Sequence, residues 1–168
     1  MIHVCSLARL HDTVADTGAR HVVTLLRNTD QVTRPQTVLE ANHLILSMDD
    51  IVHEMDGYEA PAQAHVEKLI DFVGGWDRAA PMVVHCYAGI SRSTAGAFIS
   101  ACALNPARDE LKIAQAIRQA SRTAMPNARL VSIADDIMGR KGRMVRAIEA
   151  LGPREIAYEG IPFRLVLE

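Results

Sequence analysis

Cys86 is followed by five residues and then Arg92, with His85 directly before the cysteine and Ser93 and Thr94 directly after the arginine. The apolar run Met82-Val83-Val84 leads into this stretch as a buried strand would, Gly89 breaks it, and Thr94 to Phe98 reads as the opening of a helix. A strand that reaches a helix N-terminus through a short loop can turn successive backbone N–H groups inward. With the helix dipole, those groups form a site for a tetrahedral anion. A thiol on the floor of such a cup is favoured as the thiolate, its nucleophilic form. Arg92 can close the ring by holding two oxygens of a phosphate in a planar fork, a geometry lysine does not offer. Gly89, lacking Cβ, lets the backbone approach the anion at the sharpest part of the turn. Tyr87, Ala88, Gly89, Ile90 and Ser91, together with Arg92, are therefore the candidate substrate-binding residues, and Cys86 is the candidate nucleophile.

His85, Cys86, Gly89, Arg92 and Ser93 spell HCxxGxxRS, and on these residues the chain resembles the cysteine-dependent protein tyrosine phosphatases, in particular their small dual-specificity-like branch. The resemblance implies an α/β fold with a mostly parallel central sheet flanked by helices. It also implies two-step hydrolysis of a phosphomonoester through a cysteinyl-phosphate, without cofactor or metal. Cys86 would attack phosphorus while the loop amides and Arg92 hold the equatorial oxygens. Ser93 would donate to the sulfur as it leaves, and His85 would orient the loop. A carboxylic acid would protonate the departing oxygen and then activate water. In the family this acid follows the strand before the loop's own strand, a placement that Asp50 matches best. Asp49 beside it and Asp56, thirty residues before Cys86, stay open as alternatives; any of the three can instead be a solvated loop carboxylate, and Asp50 and Asp49 can also cap a helix. The run from His21 to Leu26 and the segment from Ser121 to Asn127 are similar to parts of these enzymes. No counterpart of the phosphotyrosine-recognition insert or the glutamine-bearing loop of the larger tyrosine-specific enzymes is visible, and Gln119 reads as a solvent-facing helical residue.

Composition bounds the reading. A chain of 168 residues fits one domain with a sizeable core, and 49% hydrophobic with 23% charged residues is ordinary for a globular protein. A net charge of −2 gives no signal for a nucleic-acid partner. No apolar run is long enough to span a bilayer, and the start MIHVCSLARLHDT lacks the pattern of a secretory leader, so cytoplasm is the expected location. Cys5, Cys86 and Cys102 form no CxxC pair, and Cys5 and Cys102 read as small buried apolar residues. The seven histidines lack metal-ligand spacing.

The elements that must carry the loop follow in order. Strands are expected over residues 2–5, 21–26, 43–48 and 82–85. A helix capped by Ser6 stops at Gly18, and a polar connection with one short helical piece near 35–40 joins the second and third strands. Pro61 opens a helix carrying Val66, Leu69, Ile70 and Val73 on one face, with the acid-bearing loop Asp49 to Asp56 ahead of it. After the loop come helices over 94–104, over 109–121 marked by Leu111, Ala114 and Ile117 with Ile113 beside them, and over about 130–138 marked by Leu130, Ala134, Ile137 and Met138. A last helix covers MVRAIEAL, and an apolar tail suits a sheet edge. Arg140, Lys141, Arg143 and Arg146 read as a solvated helix junction.

The substrate implied by the resemblance is a phosphorylated protein or small phosphoester. The loop carries no lysine, which weighs against, without removing, a phosphoinositide phosphatase. The rivals are a phosphate-binding interaction module of weak activity, a sulfurtransferase and an arsenate reductase. The loop of sulfurtransferases is one residue shorter, and arsenate reduction needs a resolving cysteine nearby. Oligomeric state is not legible at this level.

Overall fold

The computed structural model describes residues 1–167. Four parallel strands, β1 (Ile2–Ser6), β2 (His21–Leu25), β3 (His43–Leu46) and β4 (Met82–Cys86), lie in the order β3-β2-β4-β1, and β5 (Phe163–Leu165) adds an antiparallel edge beside β1. The central strands read as nearly continuous apolar runs because both faces of the sheet are covered. On one face Ile2, Val4, Val23, Leu25, Met82 and Val84 join the larger core with helices α2 (Gln63–Gly74) and α3 (Arg92–Leu104). On the other, Cys5, Val22 and Val83 meet Leu10 and Val14 of α1 (Leu10–Thr17). Three further helices, α4 (Glu110–Ala120), α5 (Ala128–Ile137) and α6 (Arg143–Glu149), pack outside α3.

Since the four strands run the same way, their carboxyl ends share one edge of the sheet. Ser6, Leu25, Leu46 and Cys86 all finish there, so the segments following β1, β3 and β4 are brought together.

α3 is the axis of the larger core. Every residue from Arg92 to Cys102 is buried, and its small residues let it lie against the strands: a Cβ on Gly96 would stand 3.0 Å from Val84 and 3.1 Å from Leu25. A helix apolar on all sides is what full burial requires.

Most elements fall where the sequence places them. Ser6 accepts from the Arg9 N–H as a cap, although the first turn is 3-10, and α1 stops at Gly18 in the left-handed region, φ 68°. The connection after β2 differs: its helical pieces are single 3-10 turns at Thr29–Gln31 and Glu40–Asn42, and the chain between is pinned by the buried Val38. In α4 the inward face is Ile113, Ala114 and Ile117, with Leu111 outside. In α5 Val131 takes the inward place expected of Ile137. In both, adjacent apolar residues offered two nearly equivalent stripes.

The basic junction is a larger correction. Arg140 is buried; it donates to Glu110 Oε1 at 3.0 Å and to the Cys102 carbonyl at 2.9 Å, and Arg143 reaches the same carboxylate at 3.1 Å. Burial opposes the charge on Glu110, but its own backbone N–H and the two guanidiniums outweigh this and hold its carboxyl below the usual range. The neighbouring turn hangs on Asp135, 2% exposed, whose oxygens accept from the N–H groups of Gly142 at 2.6 Å and Met144 at 2.7 Å. Asp135→Ala strands both donors and should lower stability by about 2–4 kcal/mol in urea unfolding at pH 7, whereas exposed Asp136→Ala should change it by less than about 0.5 kcal/mol.

Candidate active site

The chain between β4 and α3 is shaped by what its carbonyls bond to. The Tyr87 carbonyl accepts from the Leu7 N–H at 3.1 Å, that of Ala88 from Gly160 at 2.8 Å, that of Ile90 from Met125 at 2.9 Å, and that of Ser91 from Asn127 at 3.3 Å. In a trans peptide the C=O and the following N–H point opposite ways, so each tie turns one N–H to the other side of the loop. The N–H groups of Ala88, Gly89, Ser91 and Arg92 are thereby directed away from the scaffold, and among the described residues none of those from Tyr87 to Ser91 donates to a backbone carbonyl. Gly89 has φ 73°, and a Cβ there would stand 2.8 Å from the backbone of Cys5 and Ser6. This position therefore excludes every other residue on both conformation and space.

Cys86, 2% exposed, lies at the base of this cup with its sulfur 3.1 Å from Ser93 Oγ. The thiol donates in this pair. After proton loss the serine hydroxyl can donate to sulfur instead, because it sits on the first turn of α3 with no other side-chain partner among the described residues. Arg92, 8% exposed, is fixed at one end by donation from Nη1 to the Met48 carbonyl at 2.8 Å; its buried Nε has no hydrogen-bond partner among the described residues. A guanidinium held by one nitrogen keeps the rest of its fork available for oxyanion oxygens.

Of the three carboxylates the sequence leaves open, Asp50 is the one brought to the cup. Its Oδ1 accepts from Ser91 Oγ at 2.7 Å and from Asn127 Nδ2 at 2.9 Å, and its Oδ2 lies 4.0 Å from Arg92 Nε. Asp49 faces elsewhere, accepting from the Glu59 N–H at 2.7 Å and standing 3.4 Å from Arg27 Nε. Asp56 is exposed and is not among the residues lining the cavity above Cys86. The sequence places Asn127 only within a family-like segment; in the structure its Oδ1 caps α5 by accepting from the Leu130 N–H at 3.1 Å, and its Nδ2 holds Asp50. An Asn after proline at a helix start signals the cap, but nothing in the sequence signals the second bond.

The family model described as "Tc-R-P: Polymorphic toxin system, DSP-PTPase phosphatase" matches residues 5–106, which include the end of β1, the Asp50 segment and the whole Cys86 loop. The chain belongs to this phosphatase family. No curated protein matches the sequence significantly. Among solved structures the phosphatase is similar to human DUSP28, at 20% identity and a TM-score of 0.62, covering 90% of each chain. It is also similar to the Cydia pomonella PTP-2 phosphatase, at 18% identity and a TM-score of 0.63, covering 80% of this chain and 84% of the other. A third is PTPMT1 in complex with PI(5)P, at 16% identity and a TM-score of 0.62, covering 91% and 95%. At these identities the likeness is one of fold.

The remaining parts of the phosphatase's site are its floor and its walls. Beneath the loop, His85 is fully buried on the α1 face; its Nε2 stands 2.7 Å from Thr24 Oγ1, which also meets His43 Nε2 at 2.8 Å. A hydroxyl has one proton, so Thr24 donates to one imidazole and accepts from the other. Burial pushes the His85 ring down to about 4, with the Arg92 and His43 charges adding to it. The ring is therefore neutral near pH 7, in keeping with a support for the loop.

Above the loop, a cavity of about 740 Å³ is walled by the Asp50–Met55 segment, by Met125 to Ala128, and by Arg154, Ala157 and Tyr158 from the chain after α6. Tyr87, 65% exposed, stands at its rim with Ala88, Ile90 and Ser91. Among the described residues no cluster of three His, Cys, Asp or Glu side chains could hold a metal ion, and no helix is long and apolar enough to cross a membrane.

The His85 ring gives a pH dependence of known sign. Its folded-state value lies below the ordinary 6.5, so the unfolded chain takes up this proton first. Its contribution to stability is whole above about pH 6.5 and drops as pH falls towards 4, by roughly 3 kcal/mol. In His85→Asn the fall in unfolding free energy between pH 7 and pH 4.5, read from urea midpoints, should be smaller by roughly 2–3 kcal/mol than in the parent protein. Equal falls would refute this assignment.

Proposed function

We propose that the chain hydrolyses phosphomonoesters through a cysteinyl-phosphate and acts as a protein tyrosine or dual-specificity phosphatase. The observation that carries this is the convergence on one cup of a buried thiol with a hydroxyl partner, a half-anchored guanidinium and a carboxylate held at the rim. With phosphate seated on the loop amides, Cys86 attacks phosphorus from below, and Arg92 and the N–H groups take the charge on the equatorial oxygens. Asp50, already at the rim, gives its proton to the leaving oxygen. As carboxylate it then takes a proton from the water that attacks the phosphoenzyme from the same side. Ser93 steadies the sulfur as it departs. His85 carries no proton in this scheme; its place is to hold the end of β4.

The cavity supports an aryl phosphate in particular. Its rim of Val52, Met55, Tyr87 and Met125 offers apolar surface to a tyrosine ring. A phosphoinositide head group needs several cations, and the loop itself supplies only Arg92, so that reading is weaker even though PTPMT1, a structural neighbour, was solved with PI(5)P. The three free buried cysteines and a thiol-dependent reaction fit a reducing compartment, which supports the cytoplasm as its place of action.

Phosphate release from p-nitrophenyl phosphate and phenyl phosphate tests the reading. Cys86→Ser should abolish turnover of both. Asp50→Asn should lower kcat about 10²–10⁴-fold on phenyl phosphate, whose leaving group needs the proton, and much less on p-nitrophenyl phosphate, whose leaving group does not. Turnover that survives Cys86→Ser would overturn the cysteinyl-phosphate route, and no turnover by the parent protein would leave only a phosphate-binding module.

A further inference from the structure

Residues 151–162 form a strap that returns from α6 across the Cys86 loop to β5. The Glu155 N–H donates to the Arg122 carbonyl at 3.0 Å, and its carboxylate pairs with the same residue's guanidinium at 2.5 Å. Glu159 accepts from Ser6 Oγ at 2.5 Å, and the Gly160 N–H holds the Ala88 carbonyl. Both acids of the strap are thus occupied on the scaffold.

Its cation is not. Arg154 donates from Nη1 to the Glu155 carbonyl at 3.0 Å and pairs with no carboxylate among the described residues, yet it stands in the wall of the cavity that holds Cys86 and Arg92. Arg118, close enough for the Arg154 charge to lower its own proton affinity behind the larger effect of burial, bonds to the carbonyls of Ala124, Leu151 and Pro153 and adds to the positive field. Around Arg154 the wall is apolar: Tyr158 is fully exposed and Met125 is 49% exposed. An arginine left without a counter-ion beside a phosphate cup, in a low-polarity wall, is placed to read a second anion on whatever occupies the cup.

We propose that Arg154 selects substrates with a second anionic group beside the phosphoryl group, and that this group is the carboxylate of an Asp or Glu flanking a phosphotyrosine. The inference rests on the phosphatase reading above. Successive residues of an extended peptide lie about 3.3 Å apart, so an acid one or two positions from the phosphotyrosine remains within the span of one arginine side chain. Asp50 is engaged by Ser91 and Asn127, and among the described residues it forms no ion pair with Arg154.

The experiment uses the full chain and phosphotyrosyl peptides with Glu, Gln, Lys or phosphoserine at positions −2 to +2. The parent protein should favour Glu over Gln by roughly five- to tenfold in kcat/KM at one or more positions, and the preference should shrink as salt rises. Arg154→Gln should bring that ratio within twofold of unity, Arg154→Lys should keep part of it, and Arg154→Glu should favour the Lys peptide. The same ratios read as Kd on Cys86→Ser separate recognition from turnover. Three results overturn the inference: no Glu preference in the parent protein, a preference that persists in Arg154→Gln, or a gain confined to phosphoserine, which would assign the site to a second phosphate instead. If peptides are not preferred at all while p-nitrophenyl phosphate is still cleaved through Cys86, this inference falls and the phosphatase reading stands.

Discussion

Four backbone carbonyls tied to three different parts of the chain decide the chemistry of this protein. A loop of this kind has no regular hydrogen-bond ladder of its own, and its amides will point wherever the carbonyls are not held. Here Leu7 after β1, Met125 and Asn127 before α5, and Gly160 on the strap each supply one N–H. The parallel sheet makes this feasible by ending β1 and β4 at the same edge, where Ser6 and Cys86 are in register. The packed core thus serves the site by positioning donors under a turn that could not hold its shape alone.

Polar groups around the loop follow the same logic of support from beneath. Thr24 joins His85 to His43 across three neighbouring strands, and burial lowers the proton affinity of both rings, most strongly that of His85. A charged imidazole directly under the loop would add to the positive field of Arg92 in a region of low dielectric; a neutral one leaves that field to the guanidinium and the amides. Asn127 is comparable on the other side. One side chain caps α5, holds Asp50, and belongs to the backbone that pins Ser91, so the carboxylate and the loop share a single reference point.

Cys86, Gly89, Arg92 and the strands around them were legible in the sequence because their meaning is local: a fixed spacing, a turn, a helix start. The carboxylates were not, since Asp49, Asp50 and Asp56 lie within eight residues and differ only in what they meet across the fold. Adjacent in sequence, Asp49 turns to Arg27 and Asp50 to Ser91 and Asn127. Arg140 misled for the same reason; in a run of basic residues nothing marks the one that finds Glu110, thirty positions earlier. The strap was legible only as a tail suited to a sheet edge, which β5 is. Its role as a wall depends on contacts such as Ser6 to Glu159, 153 residues apart, and no local pattern encodes a pairing of that range.

The contact between Gly160 and the loop has a bearing on timing. The Gly160 α-carbon is so near the Gly89 carbonyl that a Cβ would stand 2.8 Å from it, and its N–H is the donor that orients the Ala88 peptide. A ribosome will have released the nucleophile, the arginine and every parallel strand long before this residue emerges. The nascent chain can bury most of its core and still lack a finished anion cup, which is completed only once the strap has been made.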